Sequence, residues 1–155
     1  MKIKDLLQKS SILIDPPAAD KKGIITQLAA HLALMHNLPD GRLIAQKILE
    51  REAEVSTGIG YGIAIPHSRV EKIDRIYMVA ARSVKGIDYS SIDGQPVHLI
   101  FMLISPAGAS TEHMRVLSSL SRIMSYEDIR KKLIAAKRAE QFLDLLIKSE
   151  IKYAG

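Results

Sequence analysis

The chain contains no cysteine and no tryptophan, and aromatic residues make up only 5% of its 155 positions. Without cysteine there can be no disulfide, no thiolate metal site and no cysteine nucleophile. Any nucleophilic chemistry must then fall on histidine, a hydroxyl, a carboxylate or lysine. Scarce aromatics also bear on nucleic acid. The late basic cluster of Arg130, Lys131, Lys132, Lys137 and Arg138 has none interleaved with it, so it makes no stacking platform, and a solvated helix face is the simpler reading. Long hydrophobic runs are missing too. Stretches such as Leu99–Ile104 are far too short to cross a bilayer, so no membrane insertion is expected. The opening MKIKDLLQKS places Asp5 and Lys9 where a signal peptide needs apolar residues, which points to the cytoplasm. No internal repeat, low-complexity segment or Gly/Ser linker divides the chain, and residues 1–155 read as one domain.

What is present is ordinary globular material, 47% hydrophobic and 25% charged, with a formal charge of +5. Against that background one stretch stands out: STGIGYGIAIPHSR, from Ser56 to Arg69. Glycines alternate at 58, 60 and 62, which lets the backbone pass close to something bulky because no Cβ intervenes. Ile63-Ala64-Ile65 reads as a buried strand, and Pro66, with no N–H, is expected to stop its ladder. His67 is therefore placed just past a strand end, where α/β folds put their chemistry. An imidazole with an ordinary pKa of about 6.5 is mostly neutral and nucleophilic near pH 7.

The rest of the pattern supplies a frame. Lys2 to Leu7 suits a short helix, and Ser11 to Asp15 a short strand closed by Pro16-Pro17. Ile24, Ile25, Leu28, Ala29, Leu32 and Met35 recur at helical spacing over residues 21–36. Pro39 breaks that run and Asp40 can cap a second helix, which reaches about Arg51 and buries Ile44 and Ile48. Three strands are expected next: Gly62 to Ile65, Ile76 to Ser83 and His98 to Ile104, with a turn at Asp93-Gly94 before the last. The final third is helical, from Ser110 or Thr111 through Met124, then from a capping box of Ser125 with Asp128, then over about Ala139 to Glu150. Short, largely apolar strands imply a small mixed sheet covered on both faces, an α/β fold built as a three-layer α/β/α sandwich.

Several groups can converge on His67. Ile44, Ile48 and Arg51 follow i, i+4, i+7, so Arg51 is expected to continue the buried stripe, where a guanidinium usually meets an anion. A structural ion pair with Glu50, Glu52 or Glu54 would satisfy it as well. His113 aligns with Leu117, Leu120 and Met124 and faces inward from the first turn of its helix, where the helix dipole favours an anion. A core histidine bonded to a carbonyl is the plainer alternative. Ser56, Thr57 and Gly58 offer hydroxyl and backbone donors for a phosphate. Charge-assisted hydrogen bonds of this kind contribute about 1.5–3 kcal/mol each. Together they make a plausible site for a dianion.

Other motifs fail. Ile63 occupies the position where a dinucleotide fingerprint needs its third glycine, and no Gly-Lys-Ser/Thr follows a glycine-rich loop. Gly-x-Ser-x-Gly is absent. His67 and His113 have no sure third metal ligand beyond a loose Glu112, so no metal and no cofactor is expected. His31, His36 and His98 have no constellation around them and read as structural or exposed.

Taken together, Arg51-Glu52, STGIGYGIAIPHSR, PVHLIFMLISP and the helix carrying His113 resemble the enzyme IIA domains of the bacterial sugar phosphotransferase system, fructose/mannitol class, including its nitrogen-regulatory branch. The resemblance covers nearly the whole chain. It implies that His67 takes a phosphoryl group from phosphohistidine on the carrier HPr or its nitrogen-branch paralogue. It implies that His113 and Arg51 stabilise the transfer, with Ser56, Thr57 and the glycine loop nearby. In a sugar system the acceptor would be a IIB domain, which here has to be a separate protein; in the regulatory branch the phosphorylation state would change binding to target proteins. The length of this chain, with no fused IIB part, tilts the expectation toward regulation. A silent binding module should lack one of the key side chains, and both histidines and the arginine are present.

Overall fold

The computed structural model describes residues 2–154. Among these, a sheet of six strands is sandwiched between two helical layers. In chain order the elements are α1 (Ile3–Leu6), a 3-10 turn (Lys9–Ser11), β1 (Ile12–Ile14), α2 (Lys21–His36), α3 (Gly41–Glu54), β2 (Gly58–Gly60), β3 (Ile63–Ala64), β4 (His67–Arg69), β5 (Tyr77–Ile87), β6 (Val97–Ser105), α4 (Ser110–Met124), α5 (Glu127–Ala135) and α6 (Ala139–Tyr153). The strand order is β1-β5-β6-β3-β2, with β4 also paired to β6. β5 and β6 run antiparallel; β1 lies parallel to β5, and β3 and β4 lie parallel to β6. This is the mixed sheet and three-layer α/β/α sandwich that the pattern predicts.

Both faces of the central strands are apolar because both are covered. Met78 and Ala80 of β5 join Leu99, Phe101 and Leu103 of β6 in a core closed by α1, α4, α5 and α6. Their alternates, Val79, Ala81, Ile100, Met102 and Ile104, face α2 and α3. That two-sided burial is why these strands read as continuous hydrophobic runs. Helix starts follow side-chain capping: Asp20 accepts from the Gly23 amide at 2.8 Å, and Asp40 accepts from Arg42 at 3.0 Å and Leu43 at 3.3 Å.

Two details differ from expectation. Five strands, not three, follow α3. Pro66 interrupts the ladder without ending it: its carbonyl still accepts from the Leu103 amide at 2.9 Å, and pairing resumes at His67 as β4. Pro66 lacks only a donor, so its acceptor keeps the chain in register. The second concerns Ser125. It does not cap α5; it closes α4 in helical geometry, and its hydroxyl donates back to the Arg122 carbonyl at 2.6 Å. Tyr126 takes the N-cap position of α5 without a side-chain cap.

Because α3 carries Arg51 into the site, its cap has a measurable consequence. Asp40→Ala is expected to lower unfolding free energy by about 1 kcal/mol in urea titrations, with an unchanged m-value.

Candidate functional site

Strand register decides what surrounds His67. Across the parallel β4–β6 ladder, His67 lies opposite Leu103, Ser68 opposite Ile104 and Arg69 opposite Ser105. Residues opposed in this way share a face. His67, Arg69 and Ser105 therefore point to the side of Leu103, which is the side covered by α4. There His113, in the first turn of α4, is buried, and its ring lies 5.2 Å from that of His67 in an edge-to-face arrangement. From the other side of the strand, α3 packs against β4 and brings Arg51 and Lys47 to the same opening. The result is a cavity of about 410 Å³ lined by Lys47, Glu50, Arg51, Glu54, His67, Arg69, His113 and Met114, among others.

Each imidazole is held at one nitrogen. His67 Nδ1 lies 2.8 Å from the Ile65 carbonyl oxygen, which can only accept, so Nδ1 carries the proton and donates. Nε2 keeps the lone pair and has no hydrogen-bond partner among the described residues. His113 Nδ1 lies 2.6 Å from the hydroxyl of Ser105, a wholly buried side chain. Burial lowers the pKa of His67 below the usual histidine value; the Ile65 carbonyl raises it and the Arg51 charge lowers it again. For His113, burial first and then His67 and Arg69 push the pKa down to about 4. Both rings are neutral at pH 7, which leaves a nucleophilic lone pair on His67.

The structure thus brings together His67, His113 and Arg51. It also shows how Arg51 is placed. The buried stripe of α3 runs Ile44, Ile48, Glu52; Arg51 sits on its flank, partly buried, and not in the stripe as expected. Nor does Arg51 form an ion pair among the described residues. Glu52 is paired with Lys21 at 3.1 Å and Glu50 with Lys47 at 3.9 Å, while Arg51 Nη1 donates to the Val55 carbonyl at 3.0 Å. The side chain also lines the opening beside His67.

Ser56, Thr57 and Gly58 are placed differently. The Thr57 amide donates to both carboxylate oxygens of Glu52 at 3.1 Å, and its hydroxyl also donates to Glu52. The Gly58 amide donates to the Ser56 hydroxyl at 3.1 Å. None of the three lines the cavity around His67. The bulky neighbour that the glycines accommodate is the protein itself: a Cβ on Gly58 would lie 2.9 Å from the Ser91 Cα, and at Gly62, with φ of +77°, one would meet the His98 ring at 3.3 Å. At the start of α4, Ser110 and Thr111 border a separate depression with Arg115 and Arg122, and Met114 lines both.

Two residues that local pattern reading passed over, and a third weighed there only as a partner for Arg51, belong here. Arg69 is set beside His67 by strand alternation, and its guanidinium also donates to the Pro106 and Ala107 carbonyls at 3.4 and 3.3 Å. An i, i+2 relation to His67 signals it once residues 67–69 are seen to be extended. Ser105 looks like the last residue of an apolar strand and carries no local signal. Glu52 is the buried anchor. It gathers Thr57, the Tyr89 hydroxyl at 2.8 Å and Lys21, and so fixes the turn between Arg51 and the glycine run. Among the described residues no group of three His, Cys, Asp or Glu side chains is placed to hold a metal.

A neutral nucleophile, a second neutral imidazole and two guanidiniums around one opening suit a transferring phosphoryl group. The sequence pattern of one family, described as "Phosphoenolpyruvate-dependent sugar phosphotransferase system, EIIA 2", matches residues 5–149. The chain belongs to this family. It is thus a phosphoryl-transfer component of that system. A Bacillus subtilis protein named PTS system fructose-specific EIIABC component is 38% identical over 94% of this chain, which spans only 23% of that longer protein. A Bradyrhizobium diazoefficiens protein named nitrogen regulatory protein is 36% identical, over 94% of this chain and 95% of its own length. The crystal structure of nitrogen regulatory protein IIA-Ntr from Neisseria meningitidis superposes with a TM-score of 0.87 at 31% identity, covering 93% of this chain and 98% of that one. No helix among the described residues of this EIIA domain is long and apolar enough to cross a membrane.

The lowered pKa of His113 can be measured directly. In a two-dimensional NMR titration its ring resonances should shift with a midpoint at about 4. A folded-state pKa below the unfolded value means that the unfolded chain binds the extra proton first, so stability falls as pH drops from about 6.5 toward that midpoint. A midpoint near that of an exposed histidine would show that the ring is not sealed as described.

Proposed function

We propose that this EIIA domain carries a phosphoryl group on His67 Nε2, taken from phosphohistidine on HPr or its nitrogen-branch paralogue. The observation that carries this reading is the bond between His67 Nδ1–H and the Ile65 carbonyl. It commits one nitrogen and leaves the other as the nucleophile beside His113, Arg51 and Arg69. In the transfer, the Nε2 lone pair forms the new P–N bond while the donor's P–N bond breaks and its electron pair returns to the donor imidazole. The donor is already activated, so positioning and neutralisation suffice. Arg51 and Arg69 supply positive charge to the equatorial oxygens, and His113 adds a hydrogen bond without adding charge. Ser56, Thr57 and Gly58 act, in this reading, by shaping the loop behind Arg51 and not as phosphate ligands.

The onward step separates two roles. In the first, phosphorylation alters binding to regulatory target proteins in nitrogen or wider metabolism, in the cytoplasm. The relatives from Bradyrhizobium diazoefficiens and Neisseria meningitidis, named as nitrogen regulatory proteins and matched along nearly their whole lengths, support it. In the second, the group passes to a IIB protein for sugar uptake. The fructose-specific relative from Bacillus subtilis favours that alternative.

The test is intact-mass analysis after incubation with phosphoenolpyruvate, enzyme I and either HPr or its paralogue. One acid-labile phosphoryl group should appear and be lost in His67→Ala, with the paralogue the faster donor. Arg51→Ala and His113→Ala should each slow transfer on the order of a hundredfold. No gain by folded protein with either donor would overturn the carrier reading, and a clear preference for HPr would favour the sugar branch.

A further inference from the structure

The carrier reading leaves open how a neutral His113 can serve a phosphoryl dianion. A neutral imidazole has two tautomers. With the proton on Nδ1, the ring turns a lone pair toward the anion and repels it. With the proton on Nε2, it offers an N–H donor. Something must choose, and the helix does not: the His113 backbone amide is already bonded to the Ala109 carbonyl, at 2.9 Å, and the ring is free to carry either form.

We propose that Ser105 makes this choice, by donating its hydroxyl hydrogen to His113 Nδ1 and so holding the proton on Nε2. Four observations lead there. Ser105 Oγ lies 2.6 Å from Nδ1, a short contact between a buried hydroxyl and a buried ring. Nδ1 of His113 is its only hydrogen-bond partner among the described residues. The backbone of Ser105 is fixed along β4, by pairing opposite Arg69 with its carbonyl accepting from the Val70 amide at 2.9 Å. Finally, the ring is neutral across the physiological range, so a single proton is shared between its two nitrogens.

The direction of the bond follows from counting donors. If Nδ1–H donated to Oγ, the serine hydrogen would be left with no acceptor among the described residues, on a fully buried side chain. If Oγ–H donates, the hydroxyl hydrogen and the Nδ1 lone pair are satisfied in one bond, and only Nε2–H remains unpaired, on the side of the ring that lines the cavity with His67. The two histidines then have complementary tautomers. His67 holds its proton on Nδ1 through a carbonyl and presents a lone pair; His113 holds its proton on Nε2 through a hydroxyl and presents a donor. Ser105 touches no phosphoryl oxygen in this account. It is a positioning residue that acts through His113.

Tautomers are read directly in the unphosphorylated protein by long-range proton–nitrogen correlation spectra of uniformly labelled samples. The wild-type His113 ring should show a protonated Nε2 and a bare Nδ1. Ser105→Ala should shift the ring toward the Nδ1–H form, and Ser105→Thr, which keeps the hydroxyl, should restore the wild-type pattern. A protonated Nδ1 in the wild type, or a pattern unchanged in Ser105→Ala, would overturn the proposal, and the wild-type spectrum decides even if a variant does not fold. Transfer kinetics add a second readout. Ser105→Ala should take up phosphoryl groups about tenfold more slowly, still on His67, and Ser105→Thr near the wild-type rate. The proposal rests on the carrier reading only for this kinetic effect. If the wild type accepts no phosphoryl group at all, the carrier reading fails while the tautomer stands or falls on its own spectrum.

Discussion

The pairing of β4 with the end of β6 governs everything at this site. Three residues in parallel register put His67 on the face of Leu103 and Arg69 on the face of Ser105. A slip of one residue would turn both side chains toward α2 and α3, away from His113. The strand is too short to hold register by its own hydrogen bonds. It is held because β3, four residues earlier, already lies on the same partner, and because the Pro66 carbonyl bridges the gap to Leu103. The register is the same on both sides of the proline.

The other half of the site depends on a buried charge. Glu52 sits one residue from Arg51 and is nearly sealed from solvent. A carboxylate in such a place is tolerable only when its oxygens are satisfied, and Lys21, Thr57 and Tyr89 do that. Tyr89 answers with a pKa raised by burial and by the Glu52 charge, so it remains a donor. The network ties the ends of α2 and α3 to the segment after β5 and to the start of the glycine run. Arg51 is left with only a local carbonyl bond and can turn its charge toward the opening.

These arrangements explain which parts could be read from the chain. Helices α2 and α3 are long enough for apolar spacing to declare them, and Asp40 marks its own cap. The central strands declare themselves by apolar length. His67, His113 and Arg51 stand out as a composite of residue types in order, although none is informative alone. What stays hidden is of two kinds. Segments of two or three residues such as β2 and β4 carry no alternation, so their extended form comes from the neighbours that pair with them. Long-range partners also leave no trace nearby: Ser105 and His113 are eight residues apart across a strand-to-helix turn, and Glu52 and Lys21 belong to different helices. Arg51 and Glu52 illustrate the limit well. They are i+7 and i+8 from Ile44, both near one stripe, and periodicity alone does not say which is buried. Similarly, Thr57 looks like a phosphate ligand until its donors are found on Glu52.

The fold commits Nδ1 of His67 to a backbone carbonyl, which leaves Nε2 as the nitrogen proposed to take the phosphoryl group. The most direct measurement is the phosphohistidine isomer formed on nitrogen-labelled protein after phosphoryl transfer, read from phosphorus–nitrogen coupling. The expectation is phosphorus on Nε2 of His67, with Nδ1 still protonated. Phosphorus on Nδ1, or on any other residue, would contradict it.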